Sequence, residues 1–346
     1  MPLDAAWRRR LLQSTASLGC APLGNLFHAV DEDEATALVA HAHLHGARYF
    51  DTAPHYGNGL SEHRLGVALR HCRRDELLIS TKVGRLLAPD PDAPTTQFGY
   101  VDTLPFVQRF DYTRDGVLRS LDDSLQRLGM SRVDLVYIHD IDMATHGATF
   151  PSRFRDMLDG AIPALAALKA QGTIGGFGLG VNDVQICLDT LHHADLDVIL
   201  LAGRYTLADQ SALAMLLPEC VRRGVAVVLG GPFNSGILAT GSRPRDGSQP
   251  FFNYAPATPA IVERVSGLED VCRAFAVPLR AAALQFPCAH PAVANVLAGA
   301  RSRAEYDDRR AMQQHAILDA FWQALRARHL IDAAAPLPCD MPPAHP

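Results

Sequence analysis

The chain has 346 residues, 48% of them apolar, and a formal net charge of -5. A chain of this kind can bury one large core of α/β-barrel size. Its 32 basic residues are scattered, and no aromatic-plus-basic interleaving occurs, which argues against a nucleic-acid-binding protein. The seven cysteines stand singly, with no CxxC pair and an odd count, which fits reduced thiols in the cytosol better than a disulfide framework. The early WRRRLLQ is followed by neither a long apolar stretch nor a small-residue cleavage pattern, so no signal peptide is expected. No apolar run is long enough to cross a bilayer.

In chain order, strand-like apolar runs lie near Ser17–Cys20, Arg48–Asp51, Leu77–Lys82, Val133–His139, Ile174–Gly180, Val198–Ala202, Ala226–Leu229 and Asn295–Ala298. Between them, amphipathic patterning predicts helices over about Asp33–His45, Ser61–Arg70, Arg114–Leu128, Gly160–Ala170, Asp183–Leu191, Ser211–Arg222 and Ile261–Ala276. Most strand runs are apolar on both faces, as buried parallel strands are. Leu118, Leu121, Leu125 and Leu128 recur at helical spacing and stop at Gly129. Gly46, Gly172 and Gly224 punctuate other helix ends in the same way, giving a repeated helix–glycine–strand cadence.

Eight strands with intervening helices predict an α/β fold, a (β/α)₈ TIM barrel in one domain over 1–332 with long loops at the carboxyl face, followed by a flexible Pro/Ala-rich tail over 333–346. A doubly wound sheet is the alternative, and its GxGxxG fingerprint fails on register. Counted from Gly175 the second glycine position holds Phe177, from Gly176 the third holds Val181, and from Gly178 the third holds Asp183. Two long insertions, Leu86–Thr113 and Thr240–Pro259, follow strand ends on the side where barrel sites lie, and read as functional lids.

The chemistry gathers at three successive strand ends. The run Arg48–Gly66 passes from a strand ending at Asp51 into a polar loop holding Tyr56; the next two strands end at Lys82 and His139. A tyrosine, with an ordinary pKa near ~10, becomes a usable acid/base when an ammonium stabilises its phenolate. Lys82 can supply that charge, Asp51 can hold Lys82, and His139 can orient a carbonyl or carbinol oxygen. The set suits proton transfer coupled to hydride transfer. Singly, each has a plainer reading: a strand-end Asp caps turns, a loop Tyr packs, and a strand-end Lys or His is solvated or satisfied by a neighbour.

DTAPHYGNGLSEHRLG (51–66), STKVG (80–84), DLVYIHD (134–140) and GLGVN (178–182) resemble the aldo-keto reductase superfamily, over about Gly19 to Arg310. The resemblance implies a (β/α)₈ barrel that binds NAD(P) without a Rossmann domain. It places a catalytic tetrad on Asp51, Tyr56, Lys82 and His139. It implies cofactor contacts at Gly19 and Cys20, at Asn182 for the nicotinamide carboxamide, at Gly231, Pro232, Phe233, Asn234 and Gly236 for the pyrophosphate, and at Gly299, Ala300, Arg301, Glu305 and Asp308 on the adenosine side. The chain departs from the family pattern at Gly230, where many members stack an aromatic residue on the nicotinamide. It departs again at Ala202, where a glutamine is usual, and at Asp308–Arg309 in place of Glu-Asn. AGRYTLADQ, PFNSGIL, NYAPA and LPFVQRFDYTRDGVLRS resemble the aldose 1-dehydrogenase branch, which includes L-fucose and pyridoxal 4-dehydrogenases. The implied reaction is oxidation of the C1 hemiacetal of an aldose such as L-fucose to a lactone, with Tyr56 accepting the hydroxyl proton. The implied alternatives are pyridoxal 4-dehydrogenation, general NADPH-dependent carbonyl reduction, or a cofactor-binding regulatory subunit. Arg301 and Arg303 would favour the 2′-phosphate of NADP, whereas Glu305, Asp307 and Asp308 would repel it; the balance leans slightly to NAD. The expected partner is a small-molecule sugar or aldehyde, with no nucleic acid and no membrane, in a cytoplasmic monomer or homodimer.

Other signals are weaker. The HxH within HAHLH (41–45) falls inside a predicted helix rather than at a strand end, so no metal is expected. Cys187 and Cys272 read as core thiols. Arg204 and Tyr205 follow the sixth predicted strand and can serve cofactor, substrate or packing alike.

Overall fold

The computed structural model describes residues 3–14 and 16–340. The parallel strands are β1 (Leu18–Gly19), β2 (Tyr49–Asp51), β3 (Leu78–Val83), β6 (Leu135–His139), β7 (Gly176–Val181), β8 (Val198–Ala202), β9 (Ala226–Gly230) and β12 (Val293–Leu297). Between β3 and β6 lies an antiparallel hairpin, β4 (Arg85–Pro89) and β5 (Phe106–Phe110); between β9 and β12 lies a short ribbon, β10 (Phe251–Phe252) and β11 (Ala255–Pro256). The eight parallel strands form one sheet in the order β1-β2-β3-β6-β7-β8-β9-β12, a nearly closed (β/α)₈ barrel as the sequence predicts. Each predicted strand is present, with ends displaced by at most two residues.

The chain falls into two compact units, one running to Leu200 and including Ala298–Tyr306, the other Leu201–Leu297 with the residues from Asp307 on. In the first, every residue of β2, β3, β6 and β7 is buried, which the continuous apolar runs require. The glycines of β7 alternate, so they share one face. A Cβ at Gly180 would lie 3.1 Å from Tyr137 Cβ and 3.5 Å from Lys82 Cε, and one at Gly176 would lie 3.2 Å from the Trp7 indole. β7 thus gives up side-chain volume to three large buried residues.

Trp7 belongs to a helix absent from the sequence prediction, α1 (Leu3–Gln13). It is wholly buried, and Arg10 on the same helix donates to Leu77 O (2.7 Å) and Asp134 Oδ1 (2.9 Å), just ahead of β3 and β6. Next along the chain come α2 (Glu32–Leu44), α3 (Leu60–Leu69) and α4 (Arg114–Leu128). Helix α4 starts where Thr113 accepts from Gly116 N and ends at Gly129 in the left-handed region, as its sequence signals dictate. Its buried stripe is Val117, Ser120, Leu121, Ser124 and Leu128, with Leu118 and Leu125 on the flanks.

In the second unit, the helix expected over Ser211–Arg222 begins only at Leu216, and the next runs Pro259–Ala274, with Thr258 as its cap and proline in its first turn. The segment from Ala333, expected to be loose, packs over its described part. Ala335 and Leu337 are wholly buried, and Arg326 donates to Ala335 O at 2.8 Å. The remainder, 341–346, lies outside the described residues.

Replacing Trp7 with Ala should lower the unfolding free energy by about 3–5 kcal/mol, read from urea melts. A change within about 0.5 kcal/mol, the scale of a surface substitution, would show that α1 does not seal the amino end of these strands.

Candidate active site

Asp51 ends β2, Lys82 stands one residue before the end of β3 and His139 ends β6, so three adjacent strands deliver three side chains to one face. Lys82 Nζ lies 2.6 Å from Asp51 Oδ2 and donates to Thr52 O at 2.9 Å; Ser80 Oγ donates to Asp51 Oδ1 at 2.6 Å. Both charged side chains are almost wholly buried. The other side of the ammonium faces Tyr56, with Nζ 4.6 Å from the ring centroid. The His139 ring sits 6.1 Å from the Tyr56 ring, edge-on. The structure therefore brings the four sequence-predicted residues together around Lys82 and Tyr56.

The loop that carries Tyr56 is held from both sides. Gly57, Asn58 and Gly59 all have positive φ, and Asn58 Nδ2 donates to Phe106 O at 2.7 Å. A Cβ on Gly24 would lie 2.4 Å from the Tyr56 carbonyl carbon, so only glycine lets the segment after β1 press against the tyrosine backbone. The rest of the 51–66 motif is scaffold. Ser61 Oγ donates to Cys20 O (2.7 Å), buried Glu62 accepts from Thr81 Oγ1 (2.7 Å) and Arg127 Nε (2.6 Å), and Arg64 donates to Leu23 O and Val30 O.

Burial pushes the Asp51 carboxyl upward from the usual carboxylate range, and Lys82, then Ser80, pull against that. Burial holds His139 well below the ordinary imidazole value, reinforced by Arg85, Lys82 and His55. His55, beside Tyr56, is lowered to about 4 by burial and then by Arg85. Both imidazoles are neutral at physiological pH.

Residues 16–327 match the model of the Aldo/keto reductase family. The chain belongs to this family. It is 44% identical over 337 residues to a pyridoxal 4-dehydrogenase of Microbacterium luteolum, a match covering 94% of this chain and 97% of that protein. It is 36% identical over 319 residues to a D-threo-aldose 1-dehydrogenase of a Pseudomonas species, covering 90% of this chain and 93% of that one. Among solved structures, an aldo-keto reductase from Bacillus halodurans in its holo form shares the fold, with a TM-score of 0.69 over 94% of each chain at 23% identity. The protein is thus an NAD(P)-dependent aldo-keto reductase, an oxidoreductase.

The residues expected to contact the nicotinamide cofactor are placed as follows. In the second unit, Gly231, Asn234, Ser235 and Gly236 turn through the left-handed region after β9, and a Cβ on Gly236 would meet nothing within 4 Å. Pro232 and Phe233 lie within this turn, where Asn234 N–H donates to Gly231 O and Gly236 N–H to Phe233 O, both at 3.0 Å. Asn234 is locked below, donating to Gly203 O (3.0 Å) and accepting from Thr206 Oγ1. In the first unit, Asn182 is half-buried directly after β7. Gly19 N–H donates to Ala298 O (3.1 Å) and bridges to Gly299, next to buried Ala300. Cys20 is wholly buried, its N–H on Asp51 O at 2.8 Å. Arg301 is paired with Glu305 at 2.8 Å. Asp308, in the second unit, is paired with Arg280. Tyr205 proves to be core, wholly buried against Phe286 and His290, and Arg204 pairs with Asp209. His41 and His45 stack on the surface of α2.

Sequence reasoning missed the lining that the β4–β5 hairpin brings: Arg85, Gln108, Phe98 and Tyr100. Its one readable signal was alternation in FVQRF, hidden by the surrounding prolines.

Because His55 titrates near 4 when folded and near ~6.5 when unfolded, the unfolded chain binds more protons between these values. Stability is then full above about 6.5 and declines as pH falls toward 4. His55→Gln should flatten part of that decline in urea midpoints taken at successive pH values; a slope equal to that of the parent protein would show that His55 is not held neutral.

Proposed function

We propose that this aldo-keto reductase is a dehydrogenase of cyclic hemiacetals, with Tyr56 as the acid/base. The observation that carries the reading is Lys82, whose ammonium is fixed by Asp51 at 2.6 Å and faces the Tyr56 ring at 4.6 Å. An ammonium this close to a phenol favours the phenolate. Tyr56 Oη takes the proton of the substrate's carbinol hydroxyl, and His139, neutral, hydrogen-bonds the same oxygen as it becomes a carbonyl. A nicotinamide cofactor would supply the acceptor for the hydride of the carbinol carbon, and the Asn182 side chain, half-buried directly after β7, would hold its carboxamide. Loss of that hydride and proton turns a ring hemiacetal into a lactone.

Two features support a flat, aromatic hemiacetal such as that of pyridoxal as the first substrate. One is the 44% identity to a pyridoxal 4-dehydrogenase. The other is an aromatic lip: Phe27 and Phe98 are exposed on adjoining loops, Phe27 N–H donates to Gly99 O at 2.8 Å, and the Phe98 ring lies 5.5 Å from His55. Both phenylalanines have positive φ, an unfavourable conformation for a bulky residue that persists where function uses it. An aldose, L-fucose first, is the second reading, favoured by the 36% relative and by the Asp140 carboxylate near His139, which suits a sugar hydroxyl.

NAD is the proposed cofactor. Arg301 is engaged by Glu305 through both guanidinium and backbone N–H, and Arg303 by Glu34 at 3.2 Å, so neither cation is left to a 2′-phosphate. All seven cysteines are free thiols, which fits a reducing cytoplasm.

Tyr56→Phe should abolish turnover of every hemiacetal substrate while the cofactor still quenches intrinsic fluorescence on titration; retained turnover overturns the assignment. In a panel of pyridoxal and aldoses, pyridoxal should give the highest kcat/KM, and Phe98→Ala should raise its KM more than that of any aldose. Glu305→Ala should shift the NADP-to-NAD ratio of kcat/KM upward roughly tenfold, about 1.4 kcal/mol; an unchanged ratio removes Glu305 as the selecting group.

A further inference from the structure

The first residue of the hairpin is an arginine that the proposed reaction does not use. Arg85 is 5% exposed, an unusual burial for a guanidinium. Its Nη2 lies 2.5 Å from Asp140 Oδ2 and its Nη1 donates to Gln108 Oε1 at 2.9 Å. Its plane lies over Phe110, 4.5 Å from the ring centroid. Each of its two polar partners touches an imidazole next to Tyr56. Asp140 Oδ2 is 3.5 Å from His139 Nε2, and Gln108 Oε1 is 2.9 Å from His55 Nδ1.

Hydrogen bonding fixes the proton at His55, and burial beside a carboxylate 3.5 Å away fixes it at His139. Arginine only donates, so the atom of Gln108 facing it is the amide oxygen. The Gln108 nitrogen, turned the other way, donates to Asn58 Oδ1 at 2.8 Å. An amide oxygen only accepts, so neutral His55 carries its proton on Nδ1. At His139, Nε2 faces a carboxylate that only accepts, while Nδ1 is buried with no hydrogen-bond partner. A proton on Nδ1 would be stranded, costing about 1–3 kcal/mol, so neutral His139 carries it on Nε2. Asp140 is held for this contact by a backbone with φ of 47°, its N–H on Gly180 O at 3.0 Å.

We propose that Arg85 is a positioning residue that sets the proton positions on both imidazoles flanking Tyr56, through Gln108 for His55 and through Asp140 for His139. It rests on the reading above in which His139 hydrogen-bonds the reacting oxygen: the Nε2–H contact to Asp140, at 3.5 Å, is too long for a good hydrogen bond and leaves that proton to be donated to the oxygen. Arg85 also balances the Asp140 charge, without which the carboxylate would draw a second proton onto His139. The charged and titratable groups around His139 are Lys82 from β3, Arg85 from β4, His55 and Tyr56 from the loop after β2, and Asp140 beside it. The Tyr112 hydroxyl, from the segment before α4, donates to the His139 carbonyl at 2.8 Å. Around His55 they are Arg85, Lys82 and Asp140, with Gln108 on Nδ1.

The test is the pH dependence of kcat/KM for Arg85→Met, paired with imidazole nitrogen spectra of protein labelled at histidine, the two signals assigned with His55→Gln and His139→Gln. In the parent protein, His139 should read as the Nε2–H tautomer and His55 as Nδ1–H, with no acid limb between pH 8 and 5.5. In Arg85→Met, His139 should gain a proton within that range, and kcat/KM should fall roughly tenfold per pH unit below the new midpoint. Adding Asp140→Asn should remove the limb, a rescue that a folding defect cannot mimic. Arg85→Lys, which keeps the charge and loses the planar fork, should leave His139 neutral while the His55 tautomer becomes mixed, and it serves if Arg85→Met does not fold. Folded variants with the parent's spectra and profile overturn the role of Arg85. Full activity in His139→Gln overturns instead the reading on which it rests.

Discussion

The buried pair of Lys82 and Asp51 is the interaction on which the site depends. Two charges removed from water cost several kcal/mol each, and their attraction offsets this only with close geometry and satisfied remaining donors and acceptors. Here the remaining valences are met within the barrel. Ser80 serves the second carboxylate oxygen, and the Thr52 carbonyl takes another ammonium proton. Behind Ser80 a chain of hydroxyls continues to Tyr49 and then Tyr137, at 3.1 Å each, and ends in the core. The chain gives protons no exit, so its effect is to polarise Ser80 toward Asp51. Space for this buried polar column comes from β7, whose glycines leave room for Tyr137 and the Lys82 stem.

From that pair the surrounding architecture follows. Tyr56 must sit over the ammonium, and a three-residue strand such as β2 cannot hold a loop by itself. The second half of the 51–66 motif does so, through Ser61, Glu62 and Arg64, and the hairpin does so through Asn58. One sequence motif therefore divides by physical role: its first residues hold the groups proposed to carry the chemistry, and its last ones fasten it to neighbouring strands and helices. The inserted hairpin is not a detached lid. Arg85 and Gln108 bind it to the same ring of side chains that it covers.

What was legible in the sequence was what is local. The eight strands showed because parallel strands covered on both faces are uninterrupted apolar runs, and α4 showed because its caps and leucine spacing lie within one segment. The four residues expected to act together stood out because Asp51, Lys82 and His139 lie at or next to strand ends and Tyr56 lies in the loop that follows the first of them. The hairpin was obscured because its pairing, Arg85 with Phe110 through Pro89 with Phe106, spans a Pro-rich loop whose composition argues against order. Helix α1 was obscured because Trp7 and Arg10 find their partners at Gly176 and Asp134, far along the chain. For the same reason nothing marked Arg85. A buried arginine is recognisable only by its partners, and these lie on β5 (Gln108 and Phe110) and just after β6 (Asp140). Tyr205 was left open by the sequence: a polar aromatic after a strand end has the composition of a ligand contact and of core alike, and only its packing on Phe286 and His290 makes it core.

The charge pattern that results bears on how the proposed reaction can run. Two ion pairs, Lys82–Asp51 and Arg85–Asp140, lie in this site, and the two imidazoles next to Tyr56 are kept neutral by burial and by those same cations. Each carboxylate is committed to a cation at 2.5 or 2.6 Å, and each histidine would have to be charged against two cations to accept a proton. Under the proposed reaction Tyr56 is then left as the acid/base beside the reacting oxygen. The two ion pairs sum to zero charge, so a phenolate there adds one net negative charge, and it faces the Lys82 ammonium 4.6 Å from the ring. Acid/base function at one residue thus depends less on that residue than on how completely its neighbours are prevented from titrating.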